Sequence, residues 1–171
     1  QTLKGTGGTA HLMGVISDGG VHGHITHVLA ATRALTDMGV PVALHAVTDG
    51  RDVAPTSAAK FIAALQSALP PLARIATVSG RYFAMDRDNR WDRVARAYQA
   101  MVLAKGNQAT TAAEAVTAAA ARGETDEFIA PTVLTGYHGA QDGDGFFCLN
   151  FRADRAREIL LAVGEDAFAG F

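Results

Sequence analysis

Four apolar runs, each leading into a short polar loop and then a helical pattern, constrain what this chain can fold into. The runs are His11-Leu12-Met13-Gly14-Val15-Ile16, Val42-Ala43-Leu44-His45-Ala46-Val47, Ile75-Ala76-Thr77-Val78 and Gly145-Phe146-Phe147-Cys148-Leu149-Asn150-Phe151. Helical spacing follows each of them. Ile25, Val28, Leu29, Thr32 and Leu35 follow the first, and Phe61, Ile62 and Leu65 the second. Trp91, Val94, Ala95, Tyr98, Met101 and Val102 follow the third, and Ile159 to Val163 the last. Strands alternating with helices predict an α/β chain, a three-layer α/β/α domain with a mainly parallel or mixed sheet. With 171 residues, one domain over 1–171 is the simplest division. Gly39 is placed to end the first helix, with Pro41 behind it, and Pro70-Pro71 to stop the second. Gln1 to Ala10 reads as a mobile lead-in, and Gly106-Asn107 as a turn. Thr111 to Arg122 reads as a helix ending at Gly123, and Thr125 to Leu134 as a less regular stretch with room for a short strand.

The loops behind the runs carry the chemistry. His22 follows the first, Arg51 and Asp52 the second, Arg81 and Arg87 the third, and Arg152 and Arg155 the last. In a mainly parallel sheet these loops gather at one edge, where open α/β sheets bind ligands. Arginines gathered there call for an anion or for acidic partners, since a planar guanidinium bonds phosphate or carboxylate in pairs. The last helix would add free N–H groups at its start. A small, multiply anionic ligand is the expected occupant. Asp52, a carboxylate among cations, is placed to take a proton from a substrate hydroxyl; the plainer alternative is that it orients an arginine. The densest segment, Ser79 to Arg93, holds Arg81, Arg87, Arg90 and Arg93 with Asp86, Asp88 and Asp92 around Trp91. Its plainer reading is a surface ion-pair network.

Composition narrows the classes. The formal net charge is −2, which gives no general pull toward nucleic acid or an anionic membrane. Cys148 is the one cysteine, so no internal disulfide can form; in an apolar run it reads as a small buried hydrophobe. No signal peptide and no apolar run long enough to span a bilayer stands out, so a cytoplasmic location is expected. His22, His24 and His27 allow a metal reading, yet carboxylate partners are not obvious, and no metal is expected in this chain. His45 reads as a hydrogen-bonded core residue, whereas His11 and His138 carry no legible signal. Ser17-Asp18-Gly19-Gly20 matches neither a P-loop nor a dinucleotide fingerprint.

The segments His11 to Gly14, Ser17 to His22, Asp49 to Asp52, Ser79 to Arg93 and Asn150 to Glu158 together resemble the cofactor-independent phosphoglycerate mutases. The resemblance runs from about Ala10 to the end of the chain. It implies an isomerase of glycolysis that interconverts 3-phosphoglycerate and 2-phosphoglycerate with no 2,3-bisphosphoglycerate requirement. Enzymes of that family combine a phosphatase-like domain, holding two manganese ions and a nucleophilic serine, with an inserted domain that binds the substrate and guides the phosphate. This chain resembles the inserted, phosphotransferase domain alone. By resemblance, His22, Arg51, Asp52, Arg81, Arg87, Arg152 and Arg155 contact substrate. Asp52 is the implied acid/base group, and the phosphatase-like domain is the implied partner. The family's substrate-gripping lysine is expected beyond Phe171. Gly23 stands where the family usually has serine, and Ala153 where it has proline, which alters the loop and the helix start without removing a charge. With no nucleophilic serine and no two-metal set in sight, the chain by itself is expected to be inactive as a mutase. A stand-alone module binding small phosphorylated carboxylates is the alternative.

Overall fold

The computed structural model describes residues 2–171. Its elements run α1 (Thr2–Thr6), β1 (Ala10–Val15), α2 (Ile25–Asp37), β2 (Val42–Thr48), α3 (Ala58–Ala68), β3 (Ala73–Gly80), α4 (Arg81–Ala84), α5 (Trp91–Leu103), β4 (Asn107–Ala109), α6 (Ala112–Ala121), β5 (Thr132–Leu134), β6 (Gly145–Cys148) and α7 (Arg157–Gly164), with 3-10 turns at Asp126–Phe128 and Ala153–Arg155. The strands form one sheet in the order β4-β5-β3-β2-β1-β6. β3, β2, β1 and β6 are parallel, whereas β5 runs antiparallel to β3 and carries β4 with it. The sheet is therefore mixed and mainly parallel, as the alternation of runs and helices predicts.

Burial explains why those runs are continuously apolar. β1 and β2 are buried along their whole length. Their side chains alternate between two helical layers, so both faces must be apolar. Leu12, Leu44 and Ala46 pack with Val28, Ile62, Leu65 and Ala115 under α2, α3 and α6. Met13, Val15 and Val47 face Val94, Met101 and Ile159 of α5 and α7. Local signals set the helix ends. Gly39 leaves α2 at φ 79° and donates to Thr36 O at 2.9 Å, a left-handed exit that glycine makes without strain. The α3 start is capped from a distance: Asp126 accepts from Ser57 N at 2.6 Å and Ala58 N at 2.7 Å.

Two expectations are corrected here. The stretch before β1 is not simply a mobile lead-in. Thr2–Thr6 is helical and Leu3 packs against the core, while Gln1 lies outside the described residues. Asn107 is not in a bare turn but opens β4, paired with Thr132. β4 is a three-residue edge strand with Asn107 and Gln108 exposed, so no apolar pattern announces it. Cys148 is half-buried, and its surroundings raise its thiol pKa.

A polar chain runs through the core on the α5/α7 face. Thr77 Oγ1 and His45 Nδ1 are 2.9 Å apart, His45 Nε2 and His11 Nδ1 3.0 Å, and His11 Nε2 and Asp144 Oδ2 3.0 Å. Every atom is satisfied if Thr77 donates to His45, His45 to His11, and His11 to Asp144. The Tyr137 hydroxyl closes the cluster by donating to Met101 O. Complete burial, then the neighbouring His11, lower the His45 pKa to about 3. The unfolded chain therefore takes up a proton at this site, near its ordinary 6.5, where the folded chain does not. Stability is whole above that value and declines as pH falls toward the folded one. Urea denaturation should show a loss of about 1 kcal/mol between pH 6 and 5. A His45→Gln variant should lack one proton of that slope; an unchanged slope would contradict the assignment.

Candidate active site

Since β1, β2, β3 and β6 are parallel, the loops that follow them leave from one edge of the sheet. At its centre is Arg81, 2% exposed, directly after β3. Its Nη1 donates to Asp49 Oδ1 and to Asp52 Oδ2, each at 2.6 Å. Burial disfavours its charge, but these bonds outweigh burial and raise its pKa. Asp49 also accepts from Ser17 Oγ at 2.6 Å and from the amides of Arg51 and Asp52 at 3.3 and 3.1 Å. Burial raises its pKa, and the Ser17 hydroxyl, the Asp52 amide and Arg81 together reverse that and lower it. The two carboxylates thus differ in kind. Asp49 is 3% exposed in its side chain and shapes the turn, whereas Asp52 is 20% exposed and open to a ligand. Gly19 allows the β1 loop to approach, since a Cβ there would lie 3.2 Å from both Cβ and O of Asp52.

His22 stands over the same carboxylate, with Nε2 3.9 Å from Asp52 Oδ2. That is too long for a hydrogen bond. Burial lowers its pKa, as do Arg81 and Arg152, so the imidazole is neutral at pH 7 and the contact is no ion pair. Its Nδ1 is buried with no partner among the described residues. Phe151 N donates to His22 O at 2.9 Å, tying this loop to the one after β6. A Cβ on Gly23 would meet Asn150 Oδ1 at 2.9 Å, so serine at that position would require the amide to shift. His24 is spent elsewhere: its Nδ1 accepts from Thr26 N and caps α2.

Beside these groups lies a cleft of about 240 Å³. Arg51, Arg81 and Arg155 line it, with Tyr82, Met85 and Phe128. Arg155 donates to Met85 O at 3.2 Å. Burial and then the charges of Arg87, Arg81 and Arg51 lower its pKa, a measure of how much positive charge converges there. Arg87 and Arg152 are half exposed and share Asp154, at 2.9 and 3.3 Å. Arg51 reaches Glu127 at 3.4 Å. All seven expected side chains therefore belong to one edge: Arg81, Asp52 and His22 together, Arg155 and Arg51 in the cleft, Arg87 and Arg152 exposed on Asp154.

Sequence reasoning missed the supports. Asp49 and Ser17 have no pattern that separates them from other loop residues. Asp86 is no surface ion-pair partner but is buried, accepting from Arg93 at 3.1 Å and from the amides of Asp88 and Arg90. Asp92 and Arg90 do form the expected exposed pair. Among the described residues no three His, Cys, Asp or Glu side chains are grouped to hold a metal ion. None of the described helices is long and apolar enough to cross a membrane.

The chain matches the family model BPG-independent PGAM N-terminus (iPGM_N) over residues 1–171. It is 70% identical over 171 residues to a 2,3-bisphosphoglycerate-independent phosphoglycerate mutase of Paracoccus denitrificans, covering 100% of this chain and 34% of that protein. A protein of the same name from Roseobacter denitrificans is 65% identical over 170 residues, 99% of this chain and 34% of that one. Among solved structures, a Leishmania mexicana phosphoglycerate mutase at low cobalt concentration superposes with a TM-score of 0.89 at 33% identity, over 96% of this chain and 33% of its own. The chain spans about a third of the length of these relatives. A family match over the whole length, carried on the same α/β fold, places this chain in the BPG-independent phosphoglycerate mutase N-terminus family.

Proposed function

We propose that this chain is the substrate-binding and phosphate-guiding domain of a phosphoglycerate mutase that interconverts 3-phosphoglycerate and 2-phosphoglycerate. The observation that carries the proposal is the arginine edge. Arg51, Arg81 and Arg155 line one cleft, and Arg81 also holds the half-open carboxylate of Asp52. Phosphate and carboxylate fit the arginines, through charge-assisted bonds on a rigid fork. A substrate held there brings its free hydroxyl to Asp52, which takes that hydroxyl's proton as the phosphate arrives on its oxygen, while a proton goes to the oxygen that the phosphate has left. Neutral His22 offers a hydrogen bond without adding charge. The exposed Arg87 and Arg152, whose shared partner Asp154 can exchange for substrate, close over the anion.

The chemistry of transfer belongs to a partner: a phosphatase-like domain of the same enzyme, with a nucleophilic serine and two manganese ions. The resemblance, and not this chain, assigns the two metals to that partner; among the described residues no three His, Cys, Asp or Glu side chains are grouped to hold a metal ion. The setting is cytoplasmic glycolysis. NMR titration of the chain with 3-phosphoglycerate tests the reading. Saturable shifts are expected in the loops of His22, Asp52, Arg81 and Arg152. Arg155→Ala should weaken binding at least roughly tenfold, the cost of one charged hydrogen bond. The chain with manganese but without its partner should turn over no substrate. Absence of shifts at high millimolar ligand, with the partner domain present, would overturn the proposal.

A further inference from the structure

Asp86 and Glu158 are both buried, on elements that are far apart in sequence: the loop before α5 and the first turn of α7. Between them they hold three successive amides. Asp88 N and Arg90 N donate to Asp86 Oδ2, each at 2.9 Å, and Asn89 N donates to Glu158 Oε1 at 3.0 Å. Asn89 sits at φ 56°, a left-handed conformation that turns its amide away from its neighbours and toward α7. Accepting from three successive amides of one turn sets the two carboxyl groups side by side, near enough for each to bear on the charge of the other. Glu158 Oε2 is buried and finds no donor among the described residues. Two ionised carboxylates in this arrangement would be acceptors facing acceptors.

We propose that Asp86 and Glu158 share one proton, and that this proton latches the arginine loop to α7, so that Glu158 is a positioning residue for the anion site. The proton resides on Glu158, which donates to the ionised Asp86. Asp86 is the better anion of the two because Asp88 N, Arg90 N and Arg93 stabilise its charge; for Glu158, burial and the charges of Asp86 and Asp88 favour the neutral form. The other charged groups nearby are Arg155 on the preceding turn and, across the cleft, Arg51, Arg81 and Glu127. The consequence is geometric. Arg87 belongs to the latched loop, and Arg155 ends the 3-10 turn that leads into α7, three residues before Glu158. Arg155 also bonds Met85 O, one residue before Asp86. Glu158 thereby sets the distance between Arg87 and Arg155. The group has a raised folded pKa, so the latch holds below the ordinary glutamate value of 4.5 and is released as pH climbs through the raised one.

The role assigned to the latch in binding rests on the proposed function; the latch itself does not. NMR on the chain, Glu158→Gln and Glu158→Ala tests both. In the parent, the protection factor of the Asn89 amide should fall as the Glu158 carboxyl titrates. Glutamine accepts from Asn89 and donates to Asp86 without titrating, so its protection should stay high and flat. Alanine should be unprotected throughout. Above the titration, the glutamine variant should bind 3-phosphoglycerate and inorganic phosphate more tightly than the parent at the same pH, and the alanine variant roughly tenfold more weakly than glutamine. Asn89 protection indifferent to Glu158 titration, or a glutamine variant that tracks the parent, would sink the latch. Protection that behaves as described with no phosphoglycerate binding in any variant would instead refute the substrate reading alone.

Discussion

Replacing Asp49 with alanine is expected to lower stability by about 3–5 kcal/mol, the cost of taking one partner from a buried ion pair. Arg81 stays buried and charged, with Asp52 as its remaining carboxylate. Ser17 Oγ loses its acceptor, and so do the amides of Arg51 and Asp52. Those amides define the turn that presents Arg51 and Asp52, so the loss reaches the arginine edge as well as the fold. Asparagine keeps an acceptor for the amides but not the charge, and should cost less, about 1.5–3 kcal/mol. The pH dependence has a definite sign. The Asp49 pKa is lowered in the folded chain, so its contribution is present above the ordinary 3.8 and is lost as pH falls through the lower folded value. The asparagine variant should lack that part of the acid transition. Urea midpoints at pH 7 decide the matter, and an alanine variant within 1 kcal/mol of the parent would refute the claim that Asp49 holds this hub.

Gly80→Ala should be nearly as damaging, for a reason of space and not of conformation. Gly80 ends β3 at φ −63°, ψ 146°, which any residue can adopt. A Cβ there would overlap Glu127 O and lie 2.7 Å from both Glu127 C and Ile129 N. These are backbone atoms and cannot swing aside as a side chain would. The segment 127–129 would have to lift, stretching the 2.7 Å bond from Gly80 N to Ile129 O. The same segment continues from Asp126, whose O accepts from Thr48 Oγ1 at 2.7 Å and whose carboxylate caps α3. The disturbance should thus cost about 3 kcal/mol, at the upper end for overpacking, and shift Arg81 next door. Gly164→Ala, where nothing lies within 4 Å of the added carbon, is the control and should change the midpoint by less than about 0.5 kcal/mol. Equal midpoints for the two variants would exclude a close approach at Gly80.

Much of this was legible from the chain because the features are local. Continuous apolar runs such as Val42 to Val47 are what a strand covered on both faces must carry, and Gly39 is what a left-handed helix exit favours. Parallel strands then bring their outgoing loops together, so His22, Arg51, Asp52, Arg81, Arg87, Arg152 and Arg155 could be assigned to one edge without coordinates. β4 escaped because two exposed polar residues and one buried alanine on an edge have no period to detect. His11 escaped because a histidine inside an apolar run looks the same whether or not a partner such as Asp144 waits 133 residues away.

The sequence by itself determined the layers, the identity of the polar edge and the residue types gathered on it, since these follow from periodicity and from loop chemistry. Only the tertiary structure decided which carboxylate does what. Asp49 and Asp52 lie three residues apart in one loop and differ in environment because one is enclosed by Ser17, Arg81 and two amides while the other stays open. Asp86 and Glu158 come to hold successive amides of one turn only when α7 packs beside the loop before α5. Burial and partner geometry set the charge of a carboxyl group, and both are properties of contacts between distant segments, which no local pattern encodes.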